Sequence, residues 1–328
     1  MAAEAARAAV VEAFARRHRF RPLEAVPWLI AAAGYFLLPQ YLTLGAQIFA
    51  TILFVLSADL VLGYAGIVTL GQAAFFGTGA YTAGILAANG WGEPLSGLAA
   101  AALAAALVGF ISGLVILRTG GLALLIQTLI VATTLYEAAN KASWLTGGDD
   151  GLQGVVEWPI FGVFRFDMLG RVAYVYCLAV LFVGWLAARL VVHSPFGRSL
   201  TGARENIARM HAIGAPVARR RLIVYTISAA LAGASGALIA QTTSFVGLTS
   251  LSLERSGNAL IMLIIGGVGR LYGAFIGVPL FMIAQDRFAE IDPVYWYFWL
   301  GLLMVAVVVF ARGGVLGLVE RLWASAGR

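Results

Sequence analysis

Charged side chains are scarce in this sequence. Asp, Glu, Lys and Arg make up 12% of its 328 residues, about half the usual share for a soluble domain. So little polar surface cannot coat a soluble core, and a mean hydropathy of +0.90 points to a polytopic membrane protein. Cysteine is almost missing: Cys177 stands alone inside an apolar run, so no internal disulfide is possible and no redox role is indicated. His18, His193 and His211 all lie outside the apolar runs. No HExxH, GxSxG or paired intramembrane Asp is present, which leaves an intramembrane enzyme without its chemistry. With no Walker motif, the chain does not hydrolyse ATP itself. Strand-type alternation is absent, which argues for helices over a barrel. A net charge of +6 does not indicate nucleic acid, because nearly all charge sits between the apolar runs.

What the sequence does have is long apolar stretches. They fall at 27–39, 41–62, 66–90, 95–117, 119–139, 172–192, 222–245, 256–284 and 294–311. Most carry the ~20 residues a helix needs to cross ~30 Å of hydrocarbon. The first is short and flanked by Pro27 and Pro39. The eighth is broken by GGVGRLYG at 266–273. At ~1.5 Å per residue neither half of it spans a bilayer, so it reads as a re-entrant hairpin or a discontinuous helix. Counting its halves separately gives five segments before the 140–171 loop and five after. An odd number per half permits an inverted repeat, although the only echo is LGYAG near 62–66 against IGGVG near 265–269. The expected fold class is an all-α polytopic membrane protein of about ten transmembrane or half-membrane helices.

Basic residues assign the sides. The loop 193–221 carries six Arg against Glu205 alone and is expected in the cytoplasm. The loop 140–171 is acidic on balance and is expected outside, as is 285–293. With both termini cytoplasmic, the parity closes. Residues 1–26, mixed in charge and too long for a secretory signal, read as a cytoplasmic extension, either a surface helix or disordered. Residues 27–312 form the single transmembrane domain, and 313–328 a cytoplasmic tail.

Residues 63–86, GYAGIVTLGQAAFFGTGAYTAGIL, hold six glycines in 24 positions. Apolar burial does little to join helices in lipid, so small residues that let backbones approach supply the packing. GFISG at 109–113 and the overlapping GRLYG and GAFIG at 269–277 are further small-xxx-small faces. Packing does not explain Thr69, Gly71 and Gln72, which put polar groups into an apolar run. A helix break at Gly63 to Gly71 would start a new helix near Leu70 with its amides and positive dipole end free for a carboxylate or carbonyl group. Asp59, one turn earlier, is either a snorkelling residue or part of a pathway or packing contact. Arg270 either meets an anionic cargo or faces an aqueous vestibule and helix-terminal carbonyls. Trp144, Trp158, Trp296 and Trp299 fit an interfacial aromatic belt.

Four stretches in order carry a family resemblance: LVLGYAGIVTLGQAAFFGTGAYTAGIL at 60–86, TGGDDGL at 146–152, SPFGRSLTGARENIARMHAIGA at 194–215, and LIMLIIGGVGRLYGAFIGV at 260–278. Together they resemble the LivM family, permease subunits of ATP-binding-cassette (ABC) importers for branched-chain amino acids and related small solutes. The resemblance covers roughly residues 40 to 312. It implies a short cytoplasmic coupling helix docking on an ATPase subunit, here Arg204, Glu205, Asn206, Ala208 and a closing Gly214. It also implies a heterodimer with a sister permease, two ABC ATPases that bind the ATP and Mg, and an external solute-binding protein that meets Asp149 and Asp150. No cofactor is expected on this chain itself, and the expected location is the bacterial cytoplasmic membrane. The translocation pathway is expected to draw on Asp59, Thr69, Gly71, Gln72, Phe76 and Arg270. Gln72, Met210, His211 and the basic Arg219–Arg221 depart from the usual family pattern, so cargo stays open among amino acids, amides, urea and short or aromatic acids. An ion-coupled carrier is the rival, with only Asp59 and Glu137 as candidate coupling carboxylates.

Overall fold

The structure, a computed structural model, describes residues 22–310 except Met168, together with 314, 315 and 317. The N-terminal extension and the C-terminal tail therefore lie almost wholly outside the described residues. Ten helices of 12 residues or more are present among those described, with three shorter ones between them, one of which is the single turn Ser143–Thr146. Apart from that turn, in chain order they are α1 (Val26–Leu37), α2 (Leu42–Asp59), α3 (Gln72–Ala88), α4 (Pro94–Ile116), α5 (Gly121–Lys141), α6 (Arg171–His193), α7 (Pro195–Glu205), α8 (Ile207–Ala212), α9 (Val217–Thr243), α10 (Leu253–Gly266), α11 (Gly273–Ile291) and α12 (Trp296–Phe310). Five of the ten precede the 140–171 loop and five follow it. Among the described residues there is no strand, only the isolated bridges Leu152–Val246 and Ile160–Phe164. The chain is an all-α polytopic membrane protein. Five stretches, Pro39–Tyr64, Pro94–Ile116, Gly121–Lys141, Arg171–His193 and Val217–Thr243, are long and apolar enough to cross a bilayer.

Side chains fix where helices begin. Glu93 accepts from the Ser96 amide ahead of Pro94 at 2.7 Å. Ser194, Asn206 and Ser252 cap α7, α8 and α10 in the same manner. Inside the helices, Thr78, Thr82, Thr226 and Thr242 each return their hydroxyl to the carbonyl four residues back. This keeps a polar group satisfied in apolar surroundings.

The centre of the bundle is α2, buried along most of its length against α6 on one side and α9 on the other. Beside it, α3, α9 and α4 approach so closely that backbones touch. A Cβ on Gly79 would overlap the Gly233 backbone, and one on Gly236 would overlap the Phe76 carbonyl. Gly233 in turn faces Ala101 and Ala105 of α4, and Gly109 faces Ala229. The small residues of GFISG and GAFIG thus pack helices as expected. GRLYG does not: Gly269 has φ +76° and sits in a turn between α10 and α11, so 269–273 presents no helical face. A second cluster sets Trp28 edge-to-face on Phe182, Trp185 and Phe275, with Tyr272 tilted against Trp185, joining α1 to α6 and α11. Glu24 pairs with Arg189 beside it. Trp144 is 85% exposed, and Trp158 and Trp299 are also open, in keeping with a peripheral belt.

Replacing Gly79 by Val is expected to destabilise the bundle by about 3 kcal/mol or more, because neither backbone can retreat. Gly257→Ala, whose Cβ would meet nothing within 4 Å, is expected to be neutral or slightly stabilising. Thermal midpoints of the two purified variants check the contrast.

Candidate functional site

The first interruption follows α2. Residues Leu60–Tyr64 form a π-helical turn, and the backbone then leaves the helix until Gln72. Polar groups of the same chain take up the exposed amides. Gly71 N–H donates to Thr69 Oγ1 at 3.0 Å, Leu70 N–H to Thr128 Oγ1 at 3.2 Å, and Ala73 N–H to Ser256 Oγ at 2.9 Å. The Gln72 amide donates to Ser228 Oγ at 3.0 Å, and Ser228 donates onward to the Ser57 carbonyl at 2.7 Å. Gln72, Thr69 and Phe76 are each 1% exposed. The new helix thus starts two residues later than Leu70. Its Ala73 amide meets Ser256 in the first turn of α10, so the N-termini of α3 and α10 come together inside the fold.

The second interruption, Gly267–Tyr272, closes on the first. Asp59, 1% exposed at the end of α2, accepts from the Gly269 amide through Oδ1 at 2.7 Å. A Cβ on Gly63 would strike both Asp59 and the Gly269 backbone, so glycine is required for this approach. Arg204, near the end of α7, donates to the Gly63 carbonyl, and its side chain also lies against Gly66, whose φ is +67°. Asp59, Gly63, Arg204 and Gly269 thus form one joint between both breaks and the 194–215 loop. Arg270 follows Gly269 at this joint. The six pathway candidates consequently fall into two groups: Asp59 and Arg270 at the joint, and Thr69, Gly71, Gln72 and Phe76 around the start of α3.

The 194–215 segment, where a single coupling helix of ~10 residues is expected, is two helices. Asn206 ends α7 and caps α8, accepting from the Arg209 amide at 2.9 Å. Its extended backbone turns the chain between them. Glu205, Ala208 and Gly214 are exposed, and Gly214 has φ +78° with open space around it. Arg204 is also exposed, but its guanidinium reaches back to the Gly63 carbonyl at the joint.

A polar cleft of about 360 Å³ opens between α2, α10, α11 and α12, lined in part by Thr51, Phe54, Arg255, Asn258, Gln285 and Tyr297. Arg255 stands 4.5 Å over the Phe76 ring and donates through Nε to the Thr249 carbonyl at 3.3 Å. Sequence reading placed the eighth apolar run at 256, which left Arg255 and Ser256 at its edge. The polar string SLERSGN was the available signal. Ser228 was hidden for another reason, since a lone serine in an apolar run looks like any packing residue.

At the end of the bundle opposite the joint, Asp149 and Asp150 are exposed in a 3₁₀ turn. The Leu152–Val246 bridge ties this loop to the chain leaving α9. Glu93 is held below the usual carboxylate range by its hydrogen bonds from Ser96. Burial pushes Glu157 up to about 7, and its Oε1 has no hydrogen-bond partner.

Comparison with known proteins assigns a family. The profile described as "Branched-chain amino acid transport system / permease component" matches residues 40–308. The chain is 27% identical over 287 residues to the high-affinity branched-chain amino acid transport system permease protein LivM of Escherichia coli and of Salmonella typhimurium, covering 80% of this chain and 66% of each relative. It thus spans just under two thirds of those relatives. It is also 31% identical over 244 residues to the autoinducer 2 import system permease protein LsrC of an Enterobacter strain, covering 70% of this chain and 66% of the relative. With the L-arabinose ABC transporter permease protein AraH of Azospirillum brasilense it shares 26% identity over 222 residues, 65% of this chain and 62% of the relative. No solved structure matches the chain.

Glu157 makes a pH prediction. A carboxyl raised from 4.5 to about 7 keeps its proton in the folded state after the unfolded chain has lost it. Stability from this group is therefore greatest at low pH and falls as pH rises from about 4.5 through 7. Glu157→Gln should flatten that part of the thermal-midpoint profile and raise the midpoint at pH 8 relative to the parent. Separately, Gln72→Leu should cost about 1–3 kcal/mol by leaving Ser228 without its donor, read as a lower thermal midpoint.

Proposed function

The chain belongs to the permease-component family of branched-chain amino acid transport systems, and from that premise we propose that it is one half of the membrane channel of an ABC importer. It pairs with a sister permease, two ATPases and an external solute-binding protein, and carries branched-chain amino acids or related small solutes inward. The energy comes from ATP and Mg at the partner ATPases. The 194–215 loop faces the cytoplasm, and the acidic 140–171 loop, with Asp149 and Asp150, meets the loaded binding protein. Both termini are cytoplasmic.

One observation carries this reading: Arg204 of α7 holds the Gly63 carbonyl at the point where the two interrupted segments meet. A helix docked on an ATPase through Glu205, Asn206 and Ala208 is thereby in direct contact with the weakest backbone of the bundle. Displacing α7 pulls on Gly63, and through Asp59 on Gly269. The N-terminal ends of α3 and the C-terminal end of α10 then shift as units, which is the hinge that alternating access requires. The open Gly214 gives α8 a free end on which to turn. An ion-coupled carrier is less well supported. Asp59 is already used by Gly269, and Glu137 lies on the exposed side of α5.

In a reconstituted complex, loaded binding protein should stimulate ATP hydrolysis, and Glu205→Lys and Gly214→Pro should each reduce that stimulation by about tenfold, equivalent to ~1.4 kcal/mol of lost coupling. Equal stimulation in both variants would remove the docking assignment. Asp59→Ala should impair uptake at unchanged membrane levels, because the two breaks are no longer tied. Normal uptake would count against the hinge.

A further inference from the structure

The cleft beside α10 has a chemical preference written into it. Arg255 uses Nε for the Thr249 carbonyl and lays its guanidinium over Phe76. Its Nη atoms have no hydrogen-bond or ion-pair partner among the described residues. Its chain neighbour Glu254 is engaged instead by the Tyr297 hydroxyl at 3.0 Å. Glu254 lines the same cleft and lends Arg255 some favourable charge without closing an ion pair with it among the described residues, and intramembrane cations as a rule mark an ion or substrate path. Two further features favour a negative group here. The N-termini of α3 and α10 converge next to this arginine, through the contact of Ala73 with Ser256, and each brings the positive end of its helix dipole. The planar fork of Arg255, held at Nε and stacked on a ring, is already oriented for two-point binding of a carboxylate.

The rest of the cleft is of mixed character. Asn258, Gln285 and Thr51 offer hydrogen bonds, Glu254 places a carboxylate held by Tyr297 on the same lining, and Phe54, Met262 and Met282 supply an apolar wall. Its volume of about 360 Å³ is within the roughly 300–1,000 Å³ of small-molecule sites. We propose that this cleft is a transit site in which Arg255 binds the carboxylate of the solute and the Phe54–Met262–Met282 wall takes its apolar part. Arg255 then separates carboxylate-bearing cargo from neutral cargo such as sugars. The assignment rests on the permease reading and adds to it the residue that selects charge.

The test uses the full complex with Asn258→Cys as a reporter, one turn along α10 from Arg255. The native Cys177 is buried. Negatively and positively charged methanethiosulfonate reagents are compared. With Arg255 present, the anionic reagent should be favoured about three- to tenfold relative to Arg255→Gln, the range expected of one charge at close distance in partly aqueous surroundings. Arg255→Lys should keep the preference, which separates loss of charge from loss of fold. L-Leucine should slow labelling, and L-leucinamide, with the same side chain and no carboxylate, should not. A preference that persists in Arg255→Gln, equal protection by both probes, or no labelling of Asn258→Cys would overturn the site. Absence of ATPase stimulation in the parent complex would instead overturn the permease reading and leave the charge preference standing.

Discussion

A backbone amide that leaves its helix inside hydrocarbon must find a partner within the protein, and this requirement shapes both interruptions of the bundle. The break after α2 hands its amides to Thr69, Thr128 and Ser256. The break after α10 hands one to Asp59. Thr69 lies within the break itself, but Thr128, Ser256 and Asp59 come from other helices, so satisfying the backbone holds α2, α3, α5 and α10 in one arrangement. The buried carboxylate of Asp59, which is expensive in isolation, is retained because it closes that arrangement.

Close packing and polar closure depend on each other. Gly63 allows Gly269 near enough to reach Asp59, and Gly79, Gly233 and Gly236 let α3 lie against α9 so that Gln72 meets Ser228. A single methyl group at these positions would part the backbones and unpair the polar atoms behind them. The same joint is where the 194–215 loop enters the bundle through Arg204. Rigid helices therefore converge on a small, glycine-rich and hydrogen-bonded point, which is the property a force-transmitting hinge needs.

Much of the architecture was legible in the sequence. Apolar runs of about 20 residues gave the segments, and GGVGRLYG gave the second break within a residue of its position, because glycine and a charge inside such a run have few other uses. The 194–215 segment was legible as an element but not as two helices. Asn206 reads equally well as an interior or a capping residue until its backbone is seen. The candidate pathway residues were legible only by type. Gln72 and Thr69 were visible as misplaced polar groups, yet their partners lie on other helices and made them internal ties. Arg255, at the edge of an apolar run, read as a flank.

Composition, run length and basic loops by themselves determined the class of protein, the number of segments and the places where helices must break. These follow from local quantities: the thickness of hydrocarbon, the rise of a helix and the cost of charge. Only the tertiary structure decided what each break meets, because Ser228 and Ser57 are 171 residues apart and Gly269 and Asp59 are 210 apart. Hydropathy and periodicity carry no term for a contact across such distances. The pairing is chosen by which backbones can approach, and that is a property of the packed bundle.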